Sequence, residues 1–383
     1  MSYFRCSNMP AEQSLHVIAF DVPFPPDYGG VIDVYYKLKA LKELGVAVHL
    51  HCFEYGRTHR EELNTCCASV NYYPRQTNKS LLFNTLPYIV LSRSSDALRD
   101  RLLKDDHPIL MEGIHSTYLL NDPAFFGRQC FVRAHNIEHD YYHNLAKVER
   151  NIFKRYYFYN ETGKLRKYEP VLKRAAAVAA ISPEDTKYFN DVYGNAFYLP
   201  AFHPFQEVSF TAENGNFAFY HGNLAVGENN EAALFLIEKV FAALPYQLVI
   251  AGAKPSAALR RAAADYSNVK LLDRLSPEEI HRYIATATVN VLPTFQATGI
   301  KLKLLASLFL GKHCLVNTPM VANTGLASLC MLADTPEEFR AALRRIFSTE
   351  DFGQDEVEKR RNILGKQFSN QASAEVLVRR IYS

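Results

Sequence analysis

Short apolar runs rich in branched residues recur along this chain, each followed by a turn and a segment with helical spacing. That alternation restricts its fold more than any other feature. LHVIAFDV (15–22) leads through PFPPDYGG into a helical pattern ending at Leu44, and Gly45 introduces VAVHLHCF (46–53). HPILMEGIH (107–115), QCFVRAHN (129–136) and AAVAAIS (176–182) continue the series, with helical segments such as 94–104 between them. From Tyr141 to Arg174 the chain is charged and aromatic with few breakers, which predicts long helices. Ser182 is placed to cap a helix that starts at Pro183. Parallel strands need a crossover to return the chain to the start of the next strand, so this alternation predicts a parallel sheet covered on both faces.

Periodicity fails at NAFYLPAFHPFQEVSF (195–210), where prolines mark a linker, and the pattern then restarts. NFAFYHGN (216–223), YQLVIAGA (246–253), NVKLLD (268–273), VNVLPT (289–294) and KHCLVNT (312–318) read as strands. Helices fall near 229–242, 255–265, 277–287 and 299–310. A chain of 383 residues that is 48% hydrophobic can build two cores. The expected fold is α/β, with two doubly wound, Rossmann-like domains facing across a cleft: residues 1–203, residues 204–365, and a terminal segment 366–383.

Composition narrows the function. Lys plus Arg number 43 against 40 Asp plus Glu, a net charge of +3 too even to suggest nucleic acid as a partner. The seven cysteines are odd in number and scattered, which suits reduced thiols in the cytoplasm, and a bridge between adjacent Cys66 and Cys67 would be strained. With no CxxC or HExxH pattern, no metal and no cofactor is expected. No stretch approaches the roughly 20 apolar residues of a spanning helix, and the first residues lack a signal-peptide core, so the expectation is a soluble protein able to touch a membrane.

Ligands of doubly wound sheets bind beyond the carboxyl ends of strands, so the loops there carry the chemistry. Gly29 and Gly30 close the first such loop and open a helix, where amides can approach a phosphate or sugar; a tight turn after the prolines explains them equally well. Thr298 and Gly299 begin a helix that is apolar on nearly every face yet carries Lys301 and Lys303 at its positive end. An anion nearby would stabilise both charges, against the alternative of lysines snorkelling outward. Being two residues apart on a helix, only one of them is expected to reach a given phosphate, while the other meets solvent or a carboxylate. Glu112 and His115 end one strand, and Arg133, His135, Asn136, Glu138 and His139 follow another; His135 or His115 can bind a sugar hydroxyl or relay a proton, whereas a single histidine is more often structural. Gly222 and Asn223 follow a strand and Asn229 and Asn230 precede a helix, placed to hold a diphosphate or simply to cap.

Together PPDYGG, AHNIEHDYY, ETGKLRKYE, AISPED, HGNL, TGIKLKLL and LVNTPM, in this order over nearly the whole chain, resemble the retaining GT-B glycosyltransferases of family four, particularly bacterial mannosyltransferase-like members. The resemblance implies an N-terminal acceptor domain, a C-terminal nucleotide-sugar domain and a final helix crossing back to the first. Gly30, His135, Lys301 and Lys303 would be active-site groups, with His135, Lys301 and Lys303 catalytic. Gly29, Gly30, Gly222, Asn223, Thr298 and Gly299 would bind the donor, and Glu112, His115, Asn136 and Glu138 the acceptor or sugar. It implies transfer of a hexose with retention and without metal to a glycan or lipid-linked acceptor in surface polysaccharide synthesis. The pattern departs at Asn223 and at Glu228 or Asn229, where the family has Arg and Lys on the diphosphate, and at Ala297 and Ala306, where it has a carboxylate pair. A non-catalytic nucleotide-sugar-binding subunit is therefore the alternative; a dinucleotide oxidoreductase lacks its GxGxxG loop. The segment from Lys147 to Arg174 mixes basic and aromatic residues, which fits either peripheral contact with anionic lipid or a solvated helix face.

Overall fold

A computed structural model describes residues 13–149, 151–295, 301–349 and 352–383. The chain divides into two compact units, one holding residues up to Ile181 with Asp185–Phe202 and Asn370–Ser383, the other Ser182–Glu184 with His203–Ser369.

The first unit is built on seven parallel strands: β1 (Ser14–Ala19), β2 (Ala47–Glu54), β3 (Ser69–Pro74), β4 (Ile109–Glu112), β5 (Cys130–Ala134), β6 (Ala177–Ala180) and β7 (Ala196–Tyr198). They lie in the order β3-β2-β1-β4-β5-β6-β7, so the winding reverses between β1 and β4. Helices α1 (Gly29–Glu43), α2 (Tyr88–Leu91), α3 (Asp96–Leu102), α4 (Glu138–Val148), α5 (Ile152–Tyr168) and α6 (Pro183–Tyr193) connect them. Both faces of this sheet are covered, which is why β4, β5 and most of β1 are buried at successive residues rather than alternate ones.

The second unit has six parallel strands, β8 (Phe217–His221), β9 (Gln247–Ala251), β10 (Val269–Leu272), β11 (Val289–Leu292), β12 (His313–Val316) and β13 (Met331–Leu332), in the order β10-β9-β8-β11-β12-β13. Its helices are α7 (Gly227–Phe235), α8 (Ala257–Ala264), α9 (Pro277–Thr286), α10 (Leu302–Leu310), α11 (Thr318–Val321), α12 (Pro336–Thr349) and α13 (Gln354–Gln367). The last helix, α14 (Asn370–Ile381), belongs to the first unit, where Ala374, Leu377 and Ile381 join Leu38 and Leu41 of α1 in one core.

Several elements differ from the sequence expectation. The stretch 195–210 is not all linker, because Ala196–Tyr198 adds β7 at the sheet edge beside β6. A three-residue edge strand is too short to display a period. SVNYYP forms β3, unanticipated because most of its side chains are only half-buried. The helix expected from 299 starts at Leu302, with Lys301 as an extended N-cap residue; Thr298 and Gly299 lie outside the described residues. Among the described residues no helix is long and apolar enough to cross a membrane.

A directional chain of hydrogen bonds crosses the first sheet from β3 through β2 and β1 to Asp105, which precedes β4. Tyr73 Oη lies 3.0 Å from His51 Nδ1, His51 Nε2 lies 2.9 Å from His16 Nδ1, and His16 Nε2 lies 2.9 Å from Asp105. With both imidazoles neutral, every link has one donor and one acceptor: the tyrosine donates to His51, His51 to His16, and His16 to the carboxylate. Burial holds His16 below its ordinary pKa and pushes His51 down to about 3. Unfolding frees both rings to bind protons, so their contribution to stability is present above pH 6.5 and is lost as pH falls toward the folded values. Denaturant titrations at falling pH below 6.5 are expected to show stability dropping by up to about 1.4 kcal/mol per pH unit per ring. The double substitution His16→Asn, His51→Asn should flatten that slope, and an unchanged slope would count against the assignment.

Candidate functional site

At the reversal between β1 and β4 the first unit gathers several of the expected residues. Gly29 and Gly30 are the first two residues of α1. A Cβ on Gly30 would stand 2.7 Å from the Phe20 ring, so packing explains this glycine without a ligand. The same Phe20 ring lies 5.4 Å from His115 and meets the His135 ring edge-on at 5.6 Å. Gly113 turns the chain after β4 with φ +67, and a Cβ there would stand 2.7 Å from His115 Nδ1. That nitrogen is buried and has no hydrogen-bond partner, and burial, reinforced by Arg93 and His135, holds the ring well below its ordinary pKa. Arg93 is itself buried and donates to the carbonyls of Phe20 and Ile89.

Beneath His135 lies a charged network absent from the sequence expectation. Asp33 and Lys37 sit one turn apart on α1 and are buried, as are Glu112 at the end of β4 and Arg133 on β5. Arg133 donates to both Asp33 oxygens at 2.8 and 3.1 Å and to the carbonyls of Leu199 and Pro200. Lys37 Nζ bridges Asp33 at 3.0 Å and Glu112 at 2.8 Å, and the Phe202 amide donates to Asp33 at 2.8 Å. Burial alone would raise both carboxyl pKa values. Arg133 and Lys37 reverse this for Asp33, and Lys37 with His135 does so for Glu112, so both are held below the usual carboxylate range.

His135 is the exposed end of this network. Its side chain is 12% accessible, against 0% for Glu112, and its Nε2 lies 3.2 Å from Glu112 Oε2. An ionised carboxylate only accepts, so Nε2 carries the hydrogen that points at Glu112. Glu112 is thus corrected from a sugar ligand to a buried group that orients His135. Ligand atoms of Asp33, Glu112 and His135 approach within 4.8 Å of one another, close enough for a metal ion, yet Lys37 and Arg133 together already neutralise the two carboxylates. Asn136 and Glu138 stand apart from this group, linked at 3.5 Å beside a small cavity with Ile114, Val132 and Glu169. Burial pushes Glu138 up to about 7, and as a 5% exposed side chain it offers little surface to a sugar.

In the second unit the winding reverses between β8 and β11, and the loops after those strands hold the other candidates. Lys303 donates to Asn229 Oδ1 at 2.9 Å and to Tyr220 Oη at 3.4 Å, and its ammonium lies 5.0 Å from the centre of the Tyr220 ring. Lys301 pairs with Glu228 at 3.5 Å. Both lysines therefore contact the first turn of α7, Lys301 through a carboxylate, one of the two places expected for the lysine that does not reach a phosphate. The physical reason is that Lys301 precedes the helix in extended backbone, so helical spacing does not apply between them. Thr294 donates its hydroxyl to Glu228, and Asn317 fixes Thr294 by bonding both its amide, at 3.0 Å, and its carbonyl, at 2.6 Å.

Among the described residues this corner sets Lys301 and Lys303 against the carboxylate of Glu228. Burial pushes Lys303 down to about 8, opposed by Glu228 and reinforced by Lys301. His221, the last residue of β8, is buried with no partner for Nε2, and burial together with Lys303 pushes it down to about 3. Gly222 follows it, close against Asn229, while Asn223 turns its side-chain oxygen onto the Ala225 amide and accepts at its carbonyl from Asn229. Ala306 is buried among apolar side chains of α10 and offers no carboxylate, and Ala297 lies outside the described residues. Sequence reasoning gave no role to His221, whose signal was its place as the last residue of a strand, nor to Phe20, Asp33 or Lys37.

Solved structures share this architecture across almost the whole chain. The E. coli trehalose-6-phosphate protein bound with UDP-2-fluoro glucose matches with a TM-score of 0.63 at 12% identity, over 96% of this chain and 99% of that one. The UDP-forming α,α-trehalose-phosphate synthase of Burkholderia xenovorans, in complex with glucose-6-phosphate, matches at 0.62 and 12%, over 97% and 100%. WaaG, a glycosyltransferase involved in lipopolysaccharide biosynthesis, matches at 0.61 and 11%, over 94% and 99%. The fold is GT-B. By sequence, an uncharacterized 44.6 kDa protein in the cps region of Klebsiella pneumoniae is 27% identical over 331 residues, 82% of this chain and 83% of that protein. No protein-family profile matches this GT-B chain.

Proposed function

We propose that this protein is a cytoplasmic hexosyltransferase, moving a sugar such as mannose from a nucleoside-diphosphate donor to a glycan or lipid-linked acceptor in surface polysaccharide synthesis. The observation that carries the reading is the meeting of Lys301 and Lys303 at the first turn of α7, beside a buried His221 whose Nε2 has no partner. A diphosphate is the anion that suits it, because helix N-terminal amides and two ammonium groups meet there. The GT-B fold and the relative in a cps region support the same reading.

Chemically, the bond from the anomeric carbon to the diphosphate oxygen stretches first. Positive charge then grows on the sugar ring as negative charge gathers on the leaving phosphate. Lys303 and Lys301 are fixed by Asn229 and Glu228 before the reaction, so they meet that charge without reorganising and favour the transition state over the ground state. His135, oriented by Glu112, is placed to hydrogen-bond a sugar hydroxyl through Nδ1. The retaining, metal-independent course belongs to the same proposal. Ala306 and the acidic Glu228 favour a second reading, a non-catalytic nucleotide-sugar-binding subunit.

Thermal unfolding against a panel of nucleoside diphosphates and nucleotide sugars, with and without chelator, tests both readings. A ligand at 100 times its dissociation constant adds about 2.7 kcal/mol, a shift of several degrees. The transferase reading expects a selective, chelator-insensitive rise with one nucleotide family, and release of nucleoside diphosphate when acceptor is added. A rise without release would assign the binding subunit. No rise with any nucleotide would overturn both.

A further inference from the structure

We propose that the tip of the α4–α5 hairpin is a docking surface for anionic lipid bilayers. The two helices pack together through the ring contacts Tyr142–Phe158 and His143–Tyr159, and the chain passes from one to the other between Val148 and Ile152. Deep in the hairpin these aromatic side chains cover one another; at the tip nothing covers them. Ile152 is 69% exposed, Phe153 86% and Tyr156 74%, all within the first five residues of α5. Soluble proteins scatter single exposed apolar residues, but three large ones within the first five residues of one helix need a partner.

The charges around them select which partner. Lys147, Lys154 and Arg155 are exposed beside the three apolar side chains. The only carboxylate of the described tip, Glu149, accepts from the Asn151 amide. A cluster of cations framing an aromatic and aliphatic wedge matches an anionic headgroup layer: the rings enter the interface while lysine and arginine stems keep their charges among the phosphates. A convex tip of three side chains suits a protein partner poorly, since stable interfaces need about 800 Å² of complementary surface from each side. A bilayer parts around such a wedge and needs no matching groove. This inference goes beyond the transferase reading and does not depend on it, because docking requires neither donor nor turnover; a lipid-linked acceptor would give it a purpose.

The experiment is cosedimentation of the full chain with vesicles of phosphatidylcholine alone or with about one-third phosphatidylglycerol, at low and high salt. Binding to the anionic vesicles is expected at low salt, weakening in high salt as screening shortens the reach of the cations. Lys154→Gln with Arg155→Gln should weaken it roughly thirtyfold, from about 1 kcal/mol per basic residue. Phe153→Glu with Tyr156→Glu should weaken it at least about tenfold. Both pairs are exposed, so unchanged melting and unchanged nucleotide-induced shifts are expected and separate this test from the transferase proposal. Equal vesicle binding by these variants, or none by the wild type at low salt, overturns the inference. Concentration-dependent self-association abolished by Phe153→Glu, without vesicle binding, also overturns it and assigns the tip to a second copy of the chain.

Discussion

Replacing Lys303 by methionine is expected to lower turnover by about 10²–10³-fold, the usual loss when one preorganised charge on a developing oxyanion is removed. The substitution keeps the length and much of the apolar contact of the side chain. Its charged head bonds only neutral oxygens, Asn229 Oδ1 and Tyr220 Oη, so no buried carboxylate is orphaned. Thermal stability without ligand should therefore stay level or rise, since burial already disfavours this ammonium. Lys301→Met is expected to behave differently, because it strips Glu228 of its cation and leaves a carboxylate facing the diphosphate. The pH dependence follows with a definite sign. With Lys303 held near 8 in the free protein, nucleotide affinity should be flat below that pH and fall by up to about tenfold per unit above it, as binding becomes linked to proton uptake. Lys303→Met should abolish this dependence. Wild-type turnover in that variant would remove the lysine from the mechanism.

The substitution with the largest expected effect on folding is Asp33→Ala, at about 3–5 kcal/mol of destabilisation. Asp33 receives four donors: Arg133 Nε and Nη2, Lys37 Nζ and the Phe202 amide. Removing it leaves an arginine and a lysine buried with only Glu112 and backbone carbonyls to face. Urea denaturation followed by amide circular dichroism should show an earlier first transition. Asp33→Asn should recover part of the loss, because it keeps the shape and one acceptor. Nucleotide binding in the second unit should persist in both variants, which separates a structural failure of the first unit from loss of the donor site. A destabilisation below about 1 kcal/mol would mean the network is compensated elsewhere. Because Asp33 and Glu112 are held ionised below their ordinary range, their contribution is present above the unfolded carboxylate pKa and lost as pH falls below it.

Where local pattern decides structure, the sequence was legible. Buried parallel strands must be short and apolar, and helices between them must carry a periodic face, so the two doubly wound sheets could be read from alternation alone. The glycine pair opening α1 and the apolar helix behind Lys301 and Lys303 were visible for the same reason: backbone freedom and charge placement at a helix start leave a mark within a few residues. Edge strands β3 and β7 escaped, since half-buried or three-residue strands have little period to display.

What only the tertiary structure decided is which distant residues share a site. Asp33 and Lys37, four apart on a helix, draw no notice in the sequence; they are interior because Arg133 and Glu112 arrive on β5 and β4 across the winding reversal. That the carboxylate beside Lys301 is Glu228, next to the Asn229 that holds Lys303, follows from Lys301 staying outside the helix and α7 beginning beside it. Periodicity is a property of neighbours in the chain. The charge balance of a site depends on strand order and register, which bring together groups separated by tens of residues, and no local pattern encodes that meeting.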